Sequence, residues 1–490
     1  MSVVAVLSLL TLGTLCVFFK NGNQRLNRFP GPFLAQWTTL YKEYYETLYS
    51  DWVGELEKLH RQYGSIVRVG PNELHFSQLD AYGDIYAVGS KFAKDPSAYS
   101  PVETFLHLFG LLDPQEALTR RSMIRPFFSK RSVLGRESVV QEKVDSFINE
   151  LLSTYNKPNP PMNLEYSLRP FFAEAIPMFC FPNLDTINVL TSSGLISSIK
   201  QTPDRTTIWF LMKNLPRKVV KLLTLHETRI SPNEAKALEL VADDALSSPL
   251  SEVDETNISF FQAILKRSGG NRPPVEPRLW LASEAMNLKF AGVDTTANAV
   301  FIAIRAVLGD EEILEALIGE LDEAWPELGS IPPGMSALEK LPYMTAVIKE
   351  GLRLSMGVIA PMTRVVTPED TVIGGEPIPV GTIVGMSTCF VHLNAEIFPE
   401  PHAFRPERWL QEDSQKLEKY LVAFSRGPRS CVGMHFAWCM MYLLLANMFR
   451  KLKLLPTSTE DLRTPFRLKD DFVSVYEGKP VYLNVEGRCS

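Results

Sequence analysis

Six cysteines are present in this 490-residue chain, at Cys16, Cys180, Cys389, Cys431, Cys439 and Cys489, and one of them has neighbours that could do chemistry. Cys431 sits in the run Phe424-Ser425-Arg426-Gly427-Pro428-Arg429-Ser430-Cys431-Val432-Gly433. An apolar helical pattern follows, through Phe436, Ala437, Met440, Met441, Leu444 and Met448. A sulfur at a helix N-terminus meets backbone N–H groups and a dipole that favour an anion. Gly427 and Gly433 let the loop approach a flat ligand closely. Arg429 supplies a charge for a carboxylate, and Phe424 can pack beside the sulfur and help exclude water. This pattern predicts a thiolate facing a planar anionic cofactor, an arrangement suited to axial ligation of haem iron. The other five cysteines are scattered, with no C-x-x-C spacing, and read as structural.

A second group of reactive side chains lies in a long helical stretch, about 278–308. There, Ala291-Gly292-Val293-Asp294-Thr295-Thr296 sets a carboxyl beside a hydroxyl. Such a pair can relay protons, and Gly292 removes a side chain where a ligand must sit beside the helix. Farther on, Glu350 and Arg353 stand at i and i+3 and so share one side of a helix.

The elements that must hold these residues can be read coarsely. The stretch 65–78 alternates around a Gly-Pro turn, like a hairpin. Between about 115 and 320 most segments read as helices, broken by Pro-rich loops near 158–161, 170–182 and 271–277. A β-rich stretch returns at 364–387, with turns at Gly374-Gly375 and Gly381. A helix follows Gly433, and the C-terminal 480–486 segment is strand-like. This is a mainly α, α+β pattern with no internal repeat.

Composition narrows the class. Hydrophobic residues make up 45%, enough for a large core, and 50 Lys+Arg against 56 Asp+Glu give a net charge of −6. That balance argues against nucleic acid as the main partner. Ser2 to Phe19 is uncharged, and eighteen helical residues span about 27 Å, close to a thin hydrocarbon core. Lys20, Arg25 and Arg28 follow, and no acid precedes Glu43. The pattern predicts a transmembrane anchor over 1–20 with its start in the lumen and the body in the cytosol. A basic, Pro-Gly hinge over 21–39 and one catalytic domain over 40–490 complete the expected organisation.

The cysteine run resembles the haem-binding signature FxxGxRxCxG of the cytochrome P450 family. The resemblance extends, in order, over the anchor, the Pro-Gly stretch, the oxygen-activating motif at 291–295, Glu350-Gly351-Leu352-Arg353, Phe404-Arg405-Pro406-Glu407-Arg408-Trp409 and the cysteine loop. It implies the cytochrome P450 fold, a helix-rich body with small β-sheets. It also implies haem b on Cys431, with Phe424, Gly427, Arg429 and Gly433 around it. Asp294 and Thr295 become the catalytic proton-delivery pair. Glu350, Arg353 and Arg408 become a structural trio, in which Arg408 can fork bidentately onto Glu350. Arg364 and Arg121 are implied as haem-propionate donors. The chain departs from the family at Ala117, where an aromatic residue or His is usual four positions before Arg121; Arg120 or Arg125 could supply the missing donor. Trp409 stands where Phe is common.

The same resemblance implies a membrane-anchored monooxygenase of the endoplasmic reticulum. Electrons would come from NADPH through a cytochrome P450 reductase, docked near Arg426, Lys416 and Lys419. O₂ and a lipophilic small molecule are the implied substrates. The segment "PFFSKRSV" resembles members that act in fungal secondary metabolism, on terpenoids or polyketides. Substrate contacts are expected near 105–109, 290–293, 358–362 and 472–475, which are largely apolar. Two other readings share the cysteine loop: a reductase-independent isomerase, dehydratase or peroxygenase of the same fold, and a non-catalytic haem-binding protein.

Overall fold

Seven helices and a small sheet account for the placement of the reactive residues. The computed structural model describes residues 24–49, 51–103, 106–155, 160–181, 242–243, 245–247, 258–268, 277–464 and 467–488. The expected anchor at 1–20, with Cys16, lies outside these residues, as do Cys489 and Phe105. The helices that matter here are α1 (Trp52–Tyr63), α2 (Pro114–Ile124), α3 (Glu137–Tyr155), α4 (Leu164–Cys180), α5 (Pro277–Gly309), α6 (Pro342–Ser355) and α7 (Met434–Lys451).

Helix α5 is the axis of the core. Its 33 residues reach about 50 Å, and it packs against α4, α6 and α7. It is long and apolar enough to cross a membrane, but 72% of its apolar window is buried inside the protein. From Thr296 to Arg305 every residue is buried, whereas Phe290 and Ala291 are exposed. One face in the middle of a core helix is therefore left uncovered. Helix α2 starts on Asp113, whose carboxylate accepts from the Glu116 amide at 2.7 Å, with Pro114 at the first position. Helix α6 has no side-chain cap of its own. Glu320 supplies one from outside, accepting from the Tyr343 and Met344 amides at 2.8 Å each.

Helix α4 corrects the expectation of a Pro-rich loop at 170–182. Pro170 and Pro177 lie inside a helix capped by Asn163. Each proline forfeits an amide donor. Leu168, Phe171, Phe172, Ala175, Ile176 and Phe179 are all buried along the same segment, and that packing overrides the local penalty. Helices α5 and α7, the 65–78 hairpin and the C-terminal strand form where expected.

A five-stranded sheet contains β1 (Ile66–Gly70), β2 (Glu73–Phe76), β3 (Ala93–Lys94), β4 (Arg364–Val365) and β5 (Ile383–Gly385), in the spatial order β1-β2-β5-β4-β3. A second sheet pairs Tyr482–Gly487 with Leu452–Pro456 and Met162–Asn163. A two-stranded hairpin joins β6 (Arg467–Asp471) to β7 (Val473–Glu477). The stretch expected as a hinge is docked onto the body from Leu26 onward. Leu26 and Phe29 are buried, and the Pro30 carbonyl accepts from the Arg68 amide of β1 at 2.8 Å. Beyond it, Phe33, Leu34, Leu40, Tyr44 and Tyr49 are exposed.

Candidate active site

The loop before α7 is shaped by its backbone. The Cys431 amide donates to the Phe424 carbonyl at 2.8 Å and the Ser430 amide to the Gly427 carbonyl at 3.1 Å, closing a tight turn. Gly427 has φ +70°, and a Cβ there would lie 2.4 Å from the Ala87 carbonyl oxygen, so both conformation and space demand glycine. Cys431 is the exposed cysteine of the four in the described residues; Cys180, Cys389 and Cys439 are buried. Neighbouring protein still desolvates the thiol, which raises it above its usual range, while the Gly433 amide and the Arg121 charge pull it down. A bound metal ion would make it a thiolate, because coordination deprotonates a thiol outright.

Arg121 braces this loop, donating to the Ser430 carbonyl at 2.6 Å and to the Ser430 hydroxyl at 3.1 Å. Arg429 donates to the Leu112 and Asp113 carbonyls at 3.2 and 3.0 Å. Its Nη1 is buried with no hydrogen-bond partner, and burial, together with the Arg364 charge, lowers its pKa to about 10. Arg364 is buried against Tyr99 and the Met362 and Thr363 carbonyls. None of these arginines forms an ion pair with a carboxylate among the described residues. Arg120, one of two alternatives for the missing donor, is committed elsewhere: it pairs with Glu284 at 3.1 Å. Ala117 is in the core, and Arg125 is exposed.

On α5, the two reactive side chains are turned apart. Asp294 forms an ion pair with Arg169 of α4 at 3.2 Å, and Arg169 also meets Glu165 at 3.4 Å. The Thr295 hydroxyl donates to the Ala291 carbonyl at 2.7 Å. At Gly292 a Cβ would lie 2.7 Å from Ile176 Cδ1, so the glycine also gives the α4 side chain room beside α5. Val293 is buried, away from the uncovered face, whereas Phe290 is exposed. The partly exposed Phe472 meets Phe109 edge-on at 6.0 Å. Phe472 sits at the β6–β7 turn with φ +65°, and its carbonyl accepts from the Ile359 and Ala360 amides.

The trio around Glu350 is in place with its roles redistributed. Arg353 is the residue that forks, through Nε to Oε2 at 2.9 Å and Nη2 to Oε1 at 2.6 Å. Arg408 reaches Glu350 once, through Nε at 3.0 Å, because its other nitrogens hold the Pro399 and Glu400 carbonyls. Trp409 adds an indole donor to Glu350 Oε2 at 2.9 Å, which phenylalanine could not provide. Arg353 continues to the His392 carbonyl, and His392 Nε2 accepts from the Val422 amide at 2.9 Å, two residues before Phe424. The trio is thus wired to the start of the cysteine loop.

These residues fit a planar, dianionic, iron-bearing cofactor. The accessible sulfur is a suitable soft ligand. The partnerless Arg429 nitrogen and the unpaired Arg364 are donors awaiting carboxylates. Apart from its chain neighbours, nothing among the described residues lies within 4 Å of where a Gly433 Cβ would stand, so there is open space beside this end of the loop. The family model of cytochrome P450 matches residues 34–483. Among similar curated proteins, cytochrome P450 monooxygenase flvC of Aspergillus flavus is 30% identical over 95% of this chain and 92% of its own length. Conidiogenone synthase PchP450 of Penicillium rubens is 31% identical over 87% of each. Cytochrome P450 monooxygenase TRI4 of Trichoderma arundinaceum is 30% identical over 86% of this chain and 83% of its own length. With the fold, the sulfur loop and the match in agreement, the chain belongs to the cytochrome P450 family and is a haem-thiolate monooxygenase that uses haem b.

Proposed function

We propose that this enzyme oxidises a lipophilic terpenoid or polyketide intermediate of fungal secondary metabolism. In this reading Cys431 would hold the haem iron through its sulfur, and Arg364 and Arg429 would hold its carboxylates. The observation that carries the site assignment is the exposed Cys431 at the start of α7, near the buried Arg364 and the half-buried Arg429, which have no acidic partner among the described residues. When bound, the haem supplies O₂ activation and oxygen insertion. The protein's part is to position substrate and move protons. Phe109 and Phe472 offer an apolar, aromatic surface for a hydrocarbon skeleton, and Phe290 on the uncovered face of α5 offers another. The Thr295 hydroxyl has its hydrogen on the Ala291 carbonyl, so its oxygen lone pairs are free to accept from a water or a substrate group. Asp294 is held by Arg169, and a proton passes from it only through a bridging water or when that ion pair loosens.

Residues 1–20 are read as a single-pass anchor in the endoplasmic reticulum membrane, with the 40–490 body in the cytosol. An NADPH–cytochrome P450 reductase is the electron donor in this scheme. The relatives' names support the monooxygenase class and a fungal metabolic setting. The test is the reduced carbon monoxide difference spectrum. The parent should show the red-shifted Soret band of thiolate ligation, and Cys431→Ala should lose it; a band that survives in that variant would sink the ligand assignment. Substrate oxidation that proceeds without NADPH and reductase would point instead to a peroxygenase or isomerase of the same fold.

A further inference from the structure

Among the described residues, a buried lysine close to the cysteine loop has no anion paired to it. Lys94 is 3% exposed. Its ammonium donates to the Phe109 carbonyl at 2.5 Å and lies 4.0 Å and 3.7 Å from the Tyr99 and Phe109 ring centroids. Aromatic faces stabilise a cation, but they do not cancel its charge. On the other side the charges have the same sign. Lys94 of β3 is the direct ladder partner of Arg364 of β4, and like charges directly opposed in a sheet are destabilising. Burial, Arg364 and Arg429 all press Lys94 toward its neutral form. The adjacent acid, Asp95, is already committed to the Ser97 amide and hydroxyl and to Thr363. Asp113, near Arg429, has its carboxylate on the Glu116 amide. Among the described residues, the buried Lys94 and Arg364 and the half-buried Arg429 therefore converge with no carboxylate paired to any of them. Such an arrangement is costly unless a ligand brings the negative charge.

We propose that Lys94 binds a propionate carboxylate of the haem, together with Arg364 and Arg429, and so replaces the donor that is absent at Ala117. The proposal rests on the haem-thiolate reading of Cys431. It assigns a job to a residue outside the recognised motifs, and it explains how Ala117 is tolerated: the donor comes from a sheet strand instead of from α2. Tyr99 and Phe109 act as positioning residues that aim the ammonium.

The test uses the full-length, haem-loaded protein in detergent and follows haem transfer to excess apomyoglobin. Loss of one charge-assisted hydrogen bond predicts haem release about tenfold faster, or more, in Lys94→Met. The red-shifted Soret band should stay, because Cys431 is untouched. The same chains are then loaded with haem dimethyl ester, which has no free carboxylate. Parent and Lys94→Met should now release it at equal rates. Release of native haem within twofold of the parent would overturn the proposal. So would an acceleration that persists unchanged with the ester, since Lys94 would then be acting on the scaffold. Lys94→Gln, which keeps polarity without charge, gives the same readout if the methionine variant does not accumulate. Absence of the Soret band in the parent itself would overturn the haem-thiolate reading, which is a separate outcome.

Discussion

Glu350 receives five hydrogen bonds while fully buried, from Arg353 twice, from Arg408, from Trp409 and from the Arg405 amide. Each donor is distinct, so single substitutions should grade the site. Trp409→Phe removes one donor to a charged acceptor and should lower stability by about 1.5–3 kcal/mol, read as a fall in thermal midpoint with the haem spectrum retained. Glu350→Ala strands two buried guanidinium groups and should cost about 3–5 kcal/mol, seen as failure to accumulate haem-loaded protein. At α5, Asp294→Asn removes both an acid and the partner of Arg169. If the pair moves protons, substrate oxidation should fall about 10²-fold or more while carbon monoxide binding is unaffected. Placement was legible where it depends on short spacings: Cys431 just before a helix, and Glu350 and Arg353 on one side of another. Lys94 and Arg169 were not, because a buried cation is chemically the same letter as a surface one, and only tertiary proximity distinguishes them.

Two small devices hold larger elements in register. Glu284 of α5, almost fully buried, accepts from the Leu108 amide at 3.0 and 3.1 Å, from Arg120 of α2 at 3.1 Å and from the Trp280 indole at 3.2 Å. It clamps the 106–110 segment, which carries Phe109, onto the core helix. Glu284→Ala should free the Leu108 amide, and hydrogen exchange there should accelerate well before global unfolding. Between α1 and the sheet, His60 and His75 form a chain that satisfies every contact only when both rings are neutral. His60 Nδ1 donates to the Gly64 carbonyl at 2.7 Å, His75 Nδ1 donates to His60 Nε2 at 2.7 Å, and His75 Nε2 accepts from the Ser387 amide at 3.1 Å. Burial lowers His60 from 6.5 to about 4, and burial also lowers His75. The unfolded chain therefore binds more protons between pH 6.5 and about 4, and stability contributed by the pair is lost as pH falls through that window. Urea titrations at stepped pH should show it, and His60→Gln should flatten the dependence. Helix α4 marks the limit of local reading at this scale. Its prolines signalled a loop, and the contrary evidence was a row of apolar contacts to α5 that no local window contains.

At the scale of the whole molecule, the order of motifs along the chain pointed to the fold, and the family model spans residues 34–483. What spacing could not show is which surfaces remain uncovered once the pieces assemble. The anchor reading makes a direct prediction: protein lacking residues 1–20 should keep its haem spectrum and no longer behave as an integral membrane protein in carbonate extraction. The exposed Phe33, Leu34, Leu40, Tyr44 and Tyr49 then have a practical meaning. A body severed from its anchor keeps this oily rim within a few tens of residues of the cut, where two copies can bury it against each other. Its colloidal behaviour should therefore depend on concentration, with sedimentation velocity showing reversible self-association that mild detergent or a Leu34→Lys change reverses.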